Sequence, residues 1–157
     1  MGGSSGEEMR PLVGLDSMLF IYLFEMNREH LEDARRLFRG IESGAIRAVT
    51  STLALTELLV RPLREGRKAD AADYVLALSG FPNMVVKPLD SATAVRAAEL
   101  RAAYGVRVPD ALHLATAVVS GAEIFITNDR GLKRVKGIEV YDLKEALDYL
   151  HLGDKAT

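Results

Sequence analysis

Four acidic residues are set apart by where they fall: Asp16, Glu57, Asp110 and Asp129. Asp16 directly follows the apolar run Leu12-Val-Gly-Leu15, and Asp129 follows Ile124-Phe-Ile-Thr-Asn128. Asp110 stands after Pro109 at the head of an apolar segment, and Glu57 is embedded in Leu53-Ala-Leu-Thr-Glu-Leu-Leu-Val60. Carboxylates brought close together repel, and burial raises their pKa values. A fold keeps such a group when a cation occupies its centre. All-oxygen ligation, with no cysteine in the chain, suits Mg²⁺ or Mn²⁺ rather than Zn²⁺. Two such ions roughly 3.5–4 Å apart make a device for phosphodiester cleavage, one activating a water and the other stabilising the leaving oxygen.

Each acid also has a plainer role. Asp16 could cap a helix starting at Ser17. Asp110 would suit the dipole of a first helical turn. Asp129 could close an Asn-Asp turn or cap a helix. Glu57 lies beyond the first turn of its helix, so capping does not account for it. Its simplest partner is Arg61 at i+4, and an exposed pair of that kind contributes only about 0.3–0.5 kcal/mol. Taken together, the four favour metal chemistry over four separate local roles.

These residues need elements to carry them. Residues 12–15, 46–50, 84–87, 123–127 and 139–141 read as short strands. Helices are expected from Ser17, over 31 to about 43, from 53 to about Pro62, over 68–79, from Asp90 or Ser91 to about Tyr104, over 110–120 and over 143–150, by apolar spacing and terminal signals. Ser51 or Thr52 can cap the third of these. Strands alternating with amphipathic helices predict a parallel sheet covered on both faces. In such sheets ligands sit outside the C-terminal strand ends, where strand order reverses. If the first and fourth strands adjoin there, Asp16 and Asp129 face one crevice.

The 157 residues suit one domain, taken as 11–152, with 48% hydrophobic residues to build its core. Residues 1–10 read as a disordered lead-in or tag remnant and lack the features of a signal peptide. A net charge of -2 argues against bulk coating of nucleic acid. The three histidines, His30, His113 and His151, are too scattered for a zinc site, and His113 reads as a packed core residue. No apolar run is long enough to span a membrane, and the cytoplasm is the default location.

The segments Gly14-Leu-Asp16-Ser-Met-Leu-Phe-Ile-Tyr-Leu23, Thr56-Glu57-Leu58, Val108-Pro-Asp110-Ala-Leu-His-Leu-Ala-Thr-Ala117 and Phe125-Ile-Thr127-Asn128-Asp129 resemble the PIN-domain family over roughly residues 11–143. The resemblance implies an α/β fold, a three-layer α/β/α sandwich on a central parallel sheet of four to five strands. It implies metal-dependent endoribonuclease activity, as in VapC-type toxins of toxin–antitoxin pairs. Asp16, Glu57, Asp110 and Asp129 match the family's acidic positions and would hold Mg²⁺ or Mn²⁺. Ser17, Thr127 and Asn128 would support them by hydrogen bonding. The resemblance further suggests an RNA substrate, a homodimer and a small antitoxin protein as partners.

Other features carry weaker expectations. Arg61, Arg64, Arg67 and Lys68, and then Arg130, Lys133, Arg134 and Lys136, form basic runs that could contact phosphate or simply face solvent. No interleaved aromatic platform for stacking bases is evident, and Phe20, Tyr22 and Phe24 read as core or dimer-interface residues. A receiver-type phosphoacceptor domain is the main rival, with Asp90 after the third strand as its acceptor. A non-catalytic RNA- or protein-binding module on the same scaffold is a second.

Overall fold

Short apolar runs extend and amphipathic segments coil largely where their periodicities predict. The computed structural model describes residues 10–153. In chain order it holds β1 (Leu12–Leu15), α1 (Ser17–Phe24), α2 (Leu31–Glu42), β2 (Arg47–Ser51), α3 (Leu53–Arg64), α4 (Lys68–Ser79) and β3 (Met84–Lys87). There follow α5 (Ser91–Tyr104), α6 (Val108–Val119), β4 (Ile124–Ile126), a 3₁₀ helix (Arg130–Arg134), β5 (Glu139–Tyr141) and α7 (Leu143–Tyr149). Residues 1–9 of the expected lead-in lie outside the described residues. Arg10, its last member, is tied to the fold, for its Nη1 donates to the Gly44 carbonyl at 2.9 Å.

All five strands are parallel, in the order β3-β2-β1-β4-β5. Alternation along each strand divides the core in two. Val13, Leu15, Ile124 and Ile126 pack with Leu19 and Phe20 of α1, Leu37 and Ile41 of α2, Leu58 of α3 and Leu147 of α7. On the other face Phe125 and Val140 pack with Leu100 of α5 and with Ala111 and Leu114 of α6. The result is the three-layer sandwich, with a central parallel sheet of five strands.

Two boundaries depart from expectation for local reasons. Helix α3 does not stop at Pro62 but continues to Arg64. A proline forfeits only its own N–H, and the chain beyond still bonds, Glu65 N–H to the Arg61 carbonyl at 3.0 Å. The basic segment after Asp129 is a 3₁₀ helix, capped by the Asp129 side chain on the Gly131 N–H at 3.0 Å. Of the two residues offered as caps for α3, Thr52 makes no side-chain cap, whereas the Ser51 hydroxyl accepts from the Leu53 N–H at 3.1 Å.

One contact sets how closely α6 lies on the sheet. Gly14 of β1 faces Ala117 of α6, and a Cβ at position 14 would stand 2.4 Å from the Ala117 Cβ and 3.2 Å from the Phe125 ring. No side-chain rotation relieves that clash. We expect Gly14→Ala to lower the unfolding free energy by about 1–3 kcal/mol, read from urea denaturation. Adding Ala117→Gly should recover part of the loss; strict additivity of the two effects would show that the contact is not the cause.

Candidate active site

Strand order reverses between β1 and β4, and both strands end at the same place. The Asp16 N–H donates to the Ile126 carbonyl at 3.1 Å, so the two strand exits are stitched together. Asp16 is 6% exposed. Its carboxylate makes no capping bond to α1, which removes the plainer role. It accepts instead from the Thr127 hydroxyl at 2.6 Å and, at 3.4 Å, from the Ser17 hydroxyl. Among the described residues no cationic side chain pairs with it.

Asp110 sits in the first turn of α6, where Pro109 starts the helix. Arg107, three residues earlier, pairs with it at 3.3 Å while remaining 78% exposed itself. Burial pushes the Asp110 carboxyl above the usual carboxylate range, Arg107 opposes that, and the charges of Asp16 and Asp129 push it further up. Three aspartates from β1, α6 and the exit of β4 thus share one field. Asp129 has a structural task as well, since it caps the 3₁₀ helix, and its own N–H donates to the Thr127 hydroxyl at 3.1 Å.

Glu57 reaches the same end of the sheet from α3, but its partner is not Arg61. His113, one turn along α6 from Asp110, bonds the Glu57 carboxylate through Nε2 at 2.7 Å. An ionised carboxylate can only accept, so Nε2 carries the hydrogen. The His113 Nδ1 is buried and unpartnered. His113 holds the Glu57 carboxyl below its usual range; burial opposes this, and Ser17 hydrogen bonding adds to the lowering. Ser17 thus bears on both Asp16 and Glu57. His113 is a buried core residue, as expected, but it also positions one of the four acids. The 56-residue separation left no local signal of that pairing.

Arg61 instead bonds Glu65 at 3.2 Å and approaches Glu25 at 3.7 Å. Arg67 pairs with Glu25, Glu65 and Asp70, so much of the first basic run is internally neutralised. In the second run, Arg134 donates to the Tyr104 carbonyl and Lys133 pairs with Glu145. Asn128 does not support the acids directly. Its amide donates to the Tyr22 hydroxyl at 3.2 Å and its carbonyl accepts from the Leu143 N–H at 2.9 Å. Arg107 escaped notice in the sequence, though its i, i+3 spacing to Asp110 could have revealed it.

The receiver reading does not survive the topology. Such a domain has the order 2-1-3-4-5, whereas here β3 is an edge strand remote from the β1–β4 reversal. Asp90 caps α5 through the Thr93 N–H at 2.9 Å and pairs with Lys87. Those bonds hold its carboxyl far below the usual range.

The donor set is chemically suited to a hard divalent cation: four carboxylates, no thiolate, and a histidine whose Nε2 is bonded to Glu57 and whose Nδ1 is buried. As the side chains stand, no three acidic or histidine residues among those described are gathered tightly enough to enclose an ion. Each carboxylate is held by a protein donor: Asp16 by Thr127, Glu57 by His113, Asp110 by Arg107, and Asp129 by the Gly131 N–H.

The fold has close counterparts among solved structures. VapBC2 from Rickettsia felis, bound to a DNA fragment from its promoter, matches with a TM-score of 0.67 at 14% identity, over 83% of this chain and 98% of that one. A toxin–antitoxin complex from Klebsiella pneumoniae matches with a TM-score of 0.63 at 23% identity, over 85% and 97%. VapC20 of Mycobacterium tuberculosis, described as a Sarcin-Ricin loop cleaving toxin, gives 0.63 at 15% identity, over 82% and 98%. Among curated proteins no sequence matches. The model of the PIN domain matches residues 13–138, most of the chain, Asp16, Glu57, Asp110 and Asp129 included, and the chain belongs to the PIN-domain family.

Proposed function

We propose that this chain is a metal-dependent endoribonuclease, with residues 11–152 as one nuclease domain and Mg²⁺ or Mn²⁺ held by Asp16, Asp110, Asp129 and Glu57. The observation that carries this reading is the buried Asp16 carboxylate, met by hydroxyls alone while two further aspartates bear on the same space. A buried charge without a counter-charge is strongly unfavourable, and a divalent cation supplies the missing one. Held by these carboxylates, a divalent ion would supply Lewis-acid polarisation of the phosphate and activation of water at neutral pH.

The chain's own residues have distinct tasks around that chemistry. Thr127 and Ser17 fix the Asp16 carboxylate on both oxygens. Glu57, kept ionised by His113, is an acceptor able to orient a water toward the phosphorus. Arg107 is largely exposed beside Asp110 and offers a guanidinium to the phosphate backbone. An RNA substrate is favoured by the VapC20 likeness, and a small antitoxin partner by the likeness to VapBC and other toxin–antitoxin complexes. A homodimer and a cytoplasmic location complete the proposal. No helix among the described residues is long and apolar enough to cross a membrane.

Asp16→Asn and Asp110→Asn should each abolish Mn²⁺-dependent cleavage of a structured RNA while circular dichroism stays unchanged. Retained cleavage in either variant rejects the site; a binding module without catalysis would show RNA binding and no cleavage in the parent protein.

Stability in EDTA separates the acids further. The Asp110 carboxyl is raised above 3.8 in the folded chain, so its ionisation opposes folding as pH climbs through 3.8 toward the folded value. Asp110→Asn should therefore be at least as stable as the parent at pH 7 and lose that margin below pH 3.8. Mn²⁺ should raise the parent's Tm and leave the variant's unmoved.

Glu57 behaves oppositely. Its carboxyl is lowered below 4.5, so its contribution is present above 4.5 and fades as pH falls through the folded value. Glu57→Gln should cost about 1–2 kcal/mol at pH 7, the size of one partly exposed charge-assisted hydrogen bond. An unchanged denaturation midpoint at pH 7 would mean that the His113 bond contributes nothing.

A further inference from the structure

One cavity opens beside the four acids without containing them. It measures about 350 Å³ and lies between α1, the start of α2, the exit of β4 and the start of α7. Tyr22 and His30 line it as a stacked pair, ring centroids 4.3 Å apart at 30°. Asn128 lines it too and holds the Tyr22 hydroxyl, so this aromatic wall is bonded to the residue directly before Asp129. Arg130 and Lys144, 80% and 82% exposed, stand at the rim over Asp142 and Asp33 at 3.4 and 3.0 Å. Neither the aromatic pair nor the cavity was evident in the sequence, where Tyr22 read as a core or interface residue.

We infer that this cavity seats one unstacked nucleobase of the nucleic-acid strand whose backbone passes the four acids, an inference that rests on the nuclease reading. The volume lies in the range of small-ligand sites, roughly 300–1,000 Å³. Two rings already layered form a wall on which a third flat ring lies, and every base offers a π face. Charge then sorts the parts of a nucleotide. Asp33, paired with Arg36 and Lys144, and Asp142, paired with Arg130, present carboxylate oxygens to the interior rather than donors for a phosphate, while the neutral base is admitted. The exposed Arg130 and Lys144 meet the flanking phosphates outside. The Asn128 tie fixes the distance between the seated base and Asp129, so the cavity acts on which nucleotide lies next to the cleaved bond. His30 and Tyr22 are positioning residues in this scheme.

The test is a titration of the full chain in EDTA, followed by NMR of the His30 and Tyr22 ring resonances. Adenosine 5′-monophosphate should shift both rings, and ribose 5-phosphate should shift neither. His30→Ala should weaken adenosine 5′-monophosphate binding roughly 5- to 150-fold, the loss expected for one stacking contact. Lys144→Gln, on an exposed side chain that tests the rim should His30→Ala misfold, should weaken the nucleotide but not adenosine. Asp16→Asn should bind adenosine 5′-monophosphate like the parent. With an oligoribonucleotide and Mn²⁺, His30→Ala should raise KM and leave kcat nearly unchanged.

Three results overturn the inference: rings unmoved by adenosine 5′-monophosphate, rings moved equally by ribose 5-phosphate, or rings moved by protein concentration alone. The last would make the cavity a contact between copies of the chain. If the rings respond to the nucleotide while the parent protein cleaves nothing with Mn²⁺, the nuclease reading fails and the base seat stands as a binding site alone. If cleavage proceeds and His30→Ala matches the parent in KM, the base seat fails and the nuclease reading stands.

Discussion

Negative charge drawn together at one end of a parallel sheet is the condition around which this molecule is organised. Carboxylates in mutual view repel, and the repulsion grows as water is removed. The chain accepts this because the backbone, not the side chains, does the gathering. β1 and β4 are neighbours by register, and their exits are joined by the Asp16–Ile126 bond. Asp16 and the strand exit that leads to Asp129 cannot drift apart without breaking the sheet. Local donors then hold each acid in place, with hydroxyls at Asp16 and a guanidinium at Asp110.

Helix α6 links this charge problem to the packing problem. It delivers Asp110 and, one turn later, His113, the tether of Glu57 from α3. Its approach to the sheet is set by Gly14 and Ala117. The seam between α6 and β1 therefore fixes the distance from Asp110 to Asp16 as surely as any polar contact. A helix standing farther off would carry both Asp110 and His113 away from the strand ends. Tight apolar contact on one face of the sheet is thus a precondition for the polar arrangement at its end.

Much of this could be read from the residues. Strand positions followed from apolar runs such as Leu12–Leu15 and Ile124–Ile126, and helix positions from spacing such as Leu31, Ala34, Leu37, Phe38 and Ile41. These signals are local, and secondary structure obeys them. The placing of Asp16 and Asp129 at a strand reversal followed from general topology once β1 and β4 were taken as neighbours. What escaped notice is non-local or three-dimensional. Glu57 and His113 lie on different helices, and only the folded chain brings them into contact. The Tyr22–His30 stack joins α1 to the head of α2 around a turn in which Met26 adopts a φ of 54°, a path no periodicity encodes. Asn128 carried a motif-like position, but its side chain bonds Tyr22 and the Leu143 N–H, contacts that no local spacing announces.

The bond from Asn128 to the Leu143 N–H ties the loop beyond β4 to the shortest α-helix among the described residues. α7 spans seven residues and is fastened at its start by a reciprocal Asp142–Glu145 capping box. Short elements open readily in native-state fluctuations, in cooperative units smaller than the whole. Each opening of α7 also frees the Asn128 carbonyl and slackens the segment that carries Asp129. The rigidity of one acidic corner is thus set by the breathing of the last described helix, and amide exchange rates at Leu143 and Gly131 should rise and fall together.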